Sequence, residues 1–136
     1  MSYEHVLTSL TKSGARYLVV GGVAVILSGY RRTTFDLDIL PDLEAHNLEK
    51  IVKIMKENDY IPRVPVDPYD FLDETKRKKW QQEKGAKVFT YIQPKDSVLA
   101  VDFLIYNPLP FELAFKRKQI IPINNVAVYV ASIEDL

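Results

Sequence analysis

The stretch YLVVGGVAVILSGYRRTTFDLDIL, residues 17–40, sets two adjacent glycines and two alternating aspartates in otherwise apolar sequence. Residues 17–20 favour a strand, and Gly21 and Gly22 end it because they lack the Cβ that would keep another group away from the backbone. Residues 23–28 favour a short helix. The sequence therefore predicts a strand, a Gly-Gly turn and a short helix.

The start of that helix predicts an anion site. The first N–H groups of a helix have no acceptor within the helix and carry a partial positive charge. A phosphate can approach such groups closely where glycines leave the backbone uncovered. We therefore expect Gly21, Gly22 and the helix start to bind a phosphate group.

The second half of the stretch predicts a strand with two carboxylates on one face. Residues 35–40 alternate strictly, so Asp36 and Asp38 point to one side and their apolar neighbours to the other. Residues two apart on a strand have Cα atoms about 6.5 Å apart, so both carboxylates can reach one cation or two neighbouring cations. The alternative is the polar face of a half-exposed strand, but the glycine turn just upstream favours a cation site.

A third carboxylate is expected on a later strand. In the run VLAVDFLIY, residues 98–106, Asp102 is the single charged residue among eight apolar or aromatic residues. An ionised carboxylate in such surroundings is costly unless it is paired or bound to a metal. Asp102 is therefore a candidate metal ligand. The alternative is a structural aspartate bonded to an arginine or to loop amides.

This arrangement resembles the nucleotidyltransferases of the DNA polymerase beta type. Their signature is a Gly-Gly or Gly-Ser turn that opens a short helix, an Asp-x-Asp pair on the next strand and a third carboxylate on a later strand. The Arg-x-Thr-x-Asp-x-Asp run at residues 32–38 is most similar to the bacterial branch that includes the AbiEii-like toxins of toxin-antitoxin systems. The resemblance covers essentially the whole chain. It implies an α+β fold with a mixed sheet of about five strands, helices mainly on one face and an open active cleft on the other.

The resemblance also implies a reaction. The expected activity is transfer of a nucleoside monophosphate from a nucleoside triphosphate to a hydroxyl group, with release of pyrophosphate. Asp36 and Asp38 would bind a Mg²⁺ or Mn²⁺ ion that also holds the substrate phosphates. Asp102 would join them around a second ion near the acceptor hydroxyl. Four residues just before the metal strand would bind phosphate, unless they are simply a solvated loop: Arg31, Arg32, Thr33 and Thr34.

The chain departs from the family pattern in two places. Many members carry a serine in place of the second turn glycine or two residues after it, whereas this chain has Gly22 and Ala24. Backbone groups alone would then hold the phosphate. AbiEii-like members also continue beyond an ASIEDL-type ending into further helices. We therefore expect one nucleotidyltransferase domain over residues 1–136 that lacks those helices, with incomplete acceptor binding.

Composition limits the class of protein. The chain has 136 residues, 47% apolar content, a formal net charge of zero and no cysteine. These values predict one domain with one core, no overall field that would attract nucleic acid or membrane, and no thiolate metal site. The longest apolar run, residues 17–27, is about half the roughly 20 residues needed to span a bilayer. A cytoplasmic protein without a membrane partner is expected.

The rest of the chain predicts four more helices and three more strands, with a proline-rich connection over residues 60–69. The expected helices are Tyr3–Lys12, one that begins at Pro41 and Asp42, one over residues 70–84 capped by Asp70, and one over residues 111–119; the expected strands are residues 87–93, 98–106 and 126–130, the first two as a hairpin around residues 94–96.

A basic run, Lys76 to Lys79, precedes Trp80. It is either a solvated helix face or a contact for a nucleotide or an RNA acceptor beside an aromatic platform. The acceptor itself could be tRNA, a protein or a small molecule, and an antitoxin protein is an expected partner if the toxin branch applies. The alternative function is a catalytically inactive module with the same fold that binds a nucleotide or a partner.

Overall fold

The helices and strands lie close to the positions that the sequence predicts. The structure, a computed structural model, describes residues 3–29 and 36–135, with the backbone alone for residues 96–99. The α-helices are α1 (Tyr3–Lys12), α2 (Gly21–Leu27), α3 (Ala45–Glu57), α4 (Glu74–Lys84) and α5 (Phe111–Lys116). The strands are β1 (Tyr17–Val20), β2 (Asp36–Pro41), β3 (Ile61–Pro62), β4 (Val88–Gln93), β5 (Asp96–Leu104), β6 (Gln119–Ile123) and β7 (Val126–Val130). Short 3₁₀ helices cover Pro68–Leu72 and Ile133–Asp135.

The strands form one mixed sheet in the order β3-β4-β5-β2-β1-β7-β6. β2 pairs antiparallel with β1 and parallel with β5, and β1 also pairs parallel with β7. The expected hairpin of β4 and β5 is present. The described residues thus contain seven strands rather than about five. The two unexpected strands, β3 and β6, each contain a proline and each lie at an edge of the sheet, where a residue without an N–H group is tolerated.

Most of the core lies on one face of the sheet, under α1 and α3. The spacing of buried residues on these helices follows the helical repeat, so each presents one apolar stripe to the strands. The inward-facing members of this core are Val6, Leu7 and Leu10 of α1, Leu48, Ile51, Val52 and Met55 of α3, and Val19, Leu37, Ile39, Val101 and Phe103 of the strands.

The opposite face carries a smaller core at one end. Leu18 of β1 and Leu40 of β2 pack there against Phe111 and Ala114 of α5. The helices therefore lie mainly on one face, as the family resemblance implied, but α5 covers part of the other. That second face is polar toward the start of β2, where Asp36 and Asp38 lie.

Two helices begin later than the sequence pattern indicates. Pro41 is the last residue of β2, and α3 starts at Ala45, where the Glu44 carboxylate accepts hydrogen bonds from the N–H groups of the first turn. Asp70 lies within the 3₁₀ helix, and Asp73 caps α4 by accepting from the next N–H groups at 2.9 and 3.2 Å. In both places more than one acidic residue precedes the helix, and the last of them, Glu44 or Asp73, is the cap.

The last predicted helix is shorter than expected. α5 ends at Lys116, and Gln119 is already the first residue of β6. The expected last strand over residues 126–130 is present as β7. Within the described ranges, none of the helices combines the length and the apolar character that crossing a bilayer requires.

Candidate functional site

The glycine pair forms the junction between β1 and α2. α2 begins at Gly21, so the two glycines are the first residues of the helix rather than a separate turn before it. The N-cap residue is Val20, whose side chain makes no capping hydrogen bond. The first N–H groups of α2 are thus not occupied by a side chain of the cap residue, which is the arrangement that the expected phosphate site requires.

Gly21 is fixed both by its backbone conformation and by its neighbour. Its φ angle is +69°, a left-handed conformation that side-chain-bearing residues rarely adopt. A Cβ at this position would lie 3.1 Å from Cγ of Asp38 and would collide with its Oδ2 atom. The carboxylate of Asp38 therefore rests directly against the backbone of Gly21. Gly21 is exposed, whereas Gly22 is buried in the first turn of α2.

Asp38 lies at the centre of the site because three strands meet beside it. It pairs with Val20 of β1 on one side and with Asp102 of β5 on the other. Neighbouring strands are about 4.8 Å apart, and residues in register on them project from the same face. The pairing therefore places the carboxylates of Asp38 and Asp102 side by side.

Asp36 is on the same face, two residues before Asp38. It is exposed, while the intervening Leu37 is fully buried in the main core. The negative charge of Asp36 contributes to raising the pKa of Asp102, so the two carboxylates are within electrostatic reach of each other. The structure thus brings all three predicted aspartates to one face of the sheet.

Asp102 is half-buried and bonded to the neighbouring strand. The hydroxyl of Thr90 on β4 donates to its Oδ1 at 2.5 Å. Burial is the main cause that raises the pKa of Asp102; the Thr90 hydrogen bond and the charge of Arg63 oppose this effect, and the charge of Asp36 adds to it. In the described part of the chain, the hydrogen-bond donor to Asp102 is neither an arginine nor a loop amide.

Sequence reasoning missed Thr90. Its position in the alternating strand β4 could have placed it on the carboxylate face. The hairpin turn alone would not have paired Thr90 with Asp102. If the register that pairs Gln93 with Asp96 continued along the hairpin, Thr90 would lie opposite Leu99. A register shift between Ile92 and Gln93 brings Thr90 opposite Asp102 instead.

Tyr3 is a second residue that the sequence did not indicate. Its hydroxyl donates to the carbonyl of Ala100 at 3.2 Å. Burial, the charge of Asp36 and, to a smaller extent, the charge of Asp102 raise the pKa of this phenol. Tyr3 therefore lies at the border between the main core and the carboxylates and remains a neutral hydroxyl at physiological pH.

The donor chemistry of the site fits a hard divalent cation. Its three side chains offer only carboxylate oxygens, the ligand type that Mg²⁺ prefers in proteins. Among residues 3–29 and 36–135, however, no three histidine, cysteine or acidic side chains already form a ligand set. Asp36, Asp38 and Asp102 share a face, and side-chain rotation would be needed for them to share one ion.

The loop residues assigned to phosphate binding, Arg31, Arg32, Thr33 and Thr34, lie outside the described residues. Their roles stay predictions. Of the other candidates, the structure places Gly21, Asp38 and Asp102 in direct succession across the sheet and Asp36 beside them.

Comparison with known proteins finds a common fold. No protein-family model matches the chain, and no curated protein matches its sequence. Among solved structures, one that resembles it is the crystal structure of TM1012 from Thermotoga maritima, a proposed nucleotidyltransferase. The TM-score is 0.60 and the identity 14%, over 98% of this chain and 80% of the other. The likeness does not single out the AbiEii-like branch. The chain therefore has an α+β fold of the kind found in that nucleotidyltransferase-like protein.

Proposed function

We propose that this chain is a metal-dependent nucleotidyltransferase, which moves a nucleoside monophosphate from a nucleoside triphosphate to a hydroxyl acceptor and releases pyrophosphate. The observation that carries the proposal is the in-register pairing of Asp38 with Asp102, directly beside Gly21 at the start of α2. The general activity agrees with the one proposed for the Thermotoga maritima protein of the same fold.

The three aspartates would hold the metal ions. Asp36 and Asp38 would bind one Mg²⁺ or Mn²⁺ together with the substrate phosphates, and Asp102 would contribute to a second site. When bound, such ions would neutralise phosphate charge and lower the pKa of the attacking hydroxyl. The carboxylates would supply the negative charge that such ions require, after rotation of their side chains toward one another.

The start of α2 would bind the phosphates that leave. Gly21 is exposed and contacts the Asp38 carboxylate, so a phosphate at its N–H would lie next to the first cation site. Arg31 and Arg32, with Thr33 and Thr34, belong to the same proposal as further phosphate contacts, because they precede Asp36 by only a few residues.

Asp102 would act beside the attacking hydroxyl, and Thr90 would orient it. The Thr90 hydrogen bond takes up Oδ1 of Asp102, which leaves Oδ2 for the second ion. Because the bond joins adjacent strands of one hairpin, it also fixes the side-chain rotamer. Thr90 is thus proposed as a positioning residue that acts through Asp102.

Transfer of a labelled α-phosphate tests the proposal. The wild type is incubated with each of the four ribonucleotides and Mg²⁺ or Mn²⁺, with total tRNA, with a cell extract, with small-molecule hydroxyl acceptors and alone. Asp102→Asn keeps the shape of the side chain, so nucleotide binding should stay within a few-fold while transfer falls at least about a hundredfold, or about 2.7 kcal/mol of transition-state stabilisation.

The exposed Asp59 provides the matched control. Asp59 follows α3 and belongs to none of the strands that carry the carboxylates, so Asp59→Asn should leave transfer unchanged. If the wild type labels an acceptor and Asp102→Asn labels it equally well, the three-carboxylate mechanism is wrong even though the reaction class is right.

A second function, an inactive module that binds a nucleotide or a partner, is favoured by one observation. The described carboxylates share a face without forming a ready ligand set. Tight binding of a nucleoside triphosphate without transfer to any acceptor would establish this function over the first.

The assignment to the toxin branch rests on the sequence of residues 21–40, which includes the run at residues 32–38. An antitoxin partner is part of this assignment. The acceptor is proposed to be tRNA, a protein or a small molecule. A small antitoxin-like frame beside the gene would support this branch. A cytoplasmic location, where nucleoside triphosphates and Mg²⁺ are available, belongs to the same proposal.

A further inference from the structure

The basic run at residues 76–79 contains two kinds of side chain. Its three lysines are exposed, as on a solvated helix face. Two of them, Lys76 and Lys78, form ion pairs at 2.6 and 3.1 Å with carboxylates on the surface. The arginine between them, Arg77, is buried, with 6% of its surface exposed. Arg77 is therefore the member of this run whose position a solvated face does not explain.

Arg77 occupies the inward face of α4. Of the eleven described residues of this helix, it is the one that is buried. Its Nη1 atom donates a hydrogen bond to the carbonyl of Phe71 at 2.6 Å, near the end of the 3₁₀ helix that precedes α4. This bond joins the two helices, so a structural role accounts for one nitrogen atom of the guanidinium group.

The charge of Arg77 has no close counterion. In the described part of the chain, no carboxylate lies within salt-bridge distance of it, and its Nε and Nη2 atoms have no acceptor. Burial lowers the pKa of Arg77, and the more distant charges of Glu74 and Asp73 oppose this effect. A buried guanidinium without a paired anion is costly, and a bound anion would remove much of that cost.

A pocket of about 380 Å³ lies over Arg77. It is bounded by one face of α4, the connection from β2 to α3 and the segment that follows β5; its lining residues are Leu43, Glu74, Arg77, Lys78, Gln81 and Ile105–Asn107. The Nε and Nη2 atoms of Arg77 are not sealed from solvent, unlike the unpartnered hydroxyl of Tyr91. Because Arg77 is otherwise buried and lines this pocket, its accessible atoms face the pocket.

The free edge of the guanidinium group matches a carboxylate. The N–H groups of Nε and Nη2 point in parallel and can donate to both oxygens of one carboxylate. The side-chain amides of Gln81 and Asn107, at the wall of the pocket, are further hydrogen-bond donors. Three side chains supply apolar surface for the rest of a ligand: Leu43, Ile105 and Tyr106.

A carboxylate fits this pocket better than a phosphate. Glu74 also lines the pocket, and its negative charge acts on any anion that binds there. A phosphate group carries nearly two negative charges at neutral pH, so Glu74 repels it more strongly than it repels a carboxylate with one charge.

We propose that this pocket binds the carboxylate group of a small molecule, with Arg77 as its bidentate partner. The volume is that of a site for one small ligand. Phe71, which Arg77 contacts, packs on Phe103 in the main core, whereas the neighbouring Asp102 projects from the other face of the sheet. The pocket is thus separate from the carboxylate site, and this proposal goes beyond the proposed function.

Benzoate is a suitable probe, because it joins a carboxylate to a small apolar ring. It is titrated into the whole ¹⁵N-labelled protein at low chloride concentration, without metal or nucleoside triphosphate. Nuclear magnetic resonance follows the Nε–H group of Arg77 and the side-chain amides of Gln81 and Asn107. Saturable shifts of these signals are expected. Benzamide has the same shape without the charge and should produce no saturable shift at the same concentrations.

Two adjacent glutamines of α4 provide a matched pair of variants. Gln81 and Gln82 are both exposed, but only Gln81 lines the pocket. Gln81→Glu places a negative charge beside the bound carboxylate and should weaken benzoate binding several-fold. Gln82→Glu makes the same change on another face of the helix and should bind benzoate as the wild type does.

Arg77→Gln removes the proposed partner itself and should abolish saturable binding. This variant also loses the bond to Phe71, so thermal unfolding must first verify that it is folded. If it is not, the comparison of Gln81→Glu with Gln82→Glu carries the test. Asp102→Asn should bind benzoate as tightly as the wild type, because Asp102 does not line the pocket.

The proposal is overturned if neither benzoate nor the smaller probe acetate shifts these signals, or if benzamide shifts them equally. It is also overturned if Gln81→Glu and Gln82→Glu bind benzoate equally well. Inorganic phosphate that binds where benzoate does not would identify a phosphate site instead, and a polyglutamate peptide that does so would point to a protein partner. None of these results bears on nucleotidyl transfer, since the measurement needs neither metal nor nucleoside triphosphate.

Discussion

Gly21→Ala tests the contact that brings the start of α2 and the carboxylates together. The left-handed conformation of Gly21, with φ +69°, costs an alanine about 1–2 kcal/mol. The new Cβ would also lie 3.1 Å from Cγ and 3.2 Å from Cβ of Asp38 and collide with its carboxylate oxygen. Such overpacking typically costs about 1–3 kcal/mol. We therefore expect the free energy of unfolding to fall by about 2–5 kcal/mol.

Gly85→Ala is a matched control for the backbone effect. Gly85 has φ +62°, close to that of Gly21, but nothing lies within 4 Å of the position that its Cβ would take. Its substitution should cost only the conformational part, about 1–2 kcal/mol. Urea unfolding of both variants gives the two free energies, and their difference measures the collision with Asp38.

A double-mutant cycle with Asp38→Ala completes this experiment. Without the Asp38 carboxylate the collision is removed, so Gly21→Ala should cost little more than Gly85→Ala; the 3.2 Å contact with Cβ of residue 38 is all that adds to the conformational part. The geometry of the candidate site is wrong if Gly21→Ala is no more costly than Gly85→Ala in the wild-type background. It is equally wrong if Asp38→Ala leaves the cost of Gly21→Ala unchanged.

Three further predictions concern the carboxylates. Mn²⁺ or Mg²⁺ should raise the melting temperature in the presence of a nucleoside triphosphate, and the double variant Asp36→Ala with Asp38→Ala should abolish this rise; an undiminished rise would place the metal elsewhere. In metal-free buffer, Asp102→Asn should be more stable than the wild type at neutral pH. Burial raises the pKa of Asp102 in the folded protein, so protonation of Asp102 stabilises the fold. This stabilisation is complete below about pH 3.8 and is lost as the pH rises through the folded-state pKa. Chemical unfolding at several pH values checks this, and a destabilised variant at pH 7 would contradict it. Thr90→Val removes a hydrogen bond to the charged form worth about 1.5 kcal/mol, so the acidic limb of the pH profile of transfer should move about one pH unit higher; an unmoved limb would mean that Thr90 does not act through Asp102.

The carboxylate face could be predicted from the sequence because strand alternation is a local property. Asp36 and Asp38 lie on one face since every second residue of β2 faces the core, and an isolated charge in an apolar strand identified Asp102. The glycine pair likewise predicted the junction of β1 and α2. That β1, β2 and β5 lie side by side depends on the order of the strands in the sheet, which the local sequence pattern did not supply.

The elements that were missed depend on non-local structure. β3 and β6 contain prolines that argue against a strand, and only their positions at the sheet edges make those prolines acceptable. Thr90 meets Asp102 because the hairpin register shifts at Gln93, which no local sequence pattern indicated. The choice between Asp70 and Asp73 as a cap depended on Phe71, whose burial in the core places the 3₁₀ helix before α4.

The parallel pairing of β2 with β5 also has a consequence for folding. Asp38 and Asp102 are adjacent in space but distant along the chain, and pairings of such high contact order form slowly. Once β1, α2 and β2 of a nascent chain have left the ribosome, the chain therefore has two of the three carboxylates and an open strand edge. The third carboxylate, Asp102, joins them only when the hairpin of β4 and β5 pairs with β2. Local opening of that hairpin would likewise disperse the carboxylates, so hydrogen exchange in β4 and β5 should report the lifetime of the assembled site.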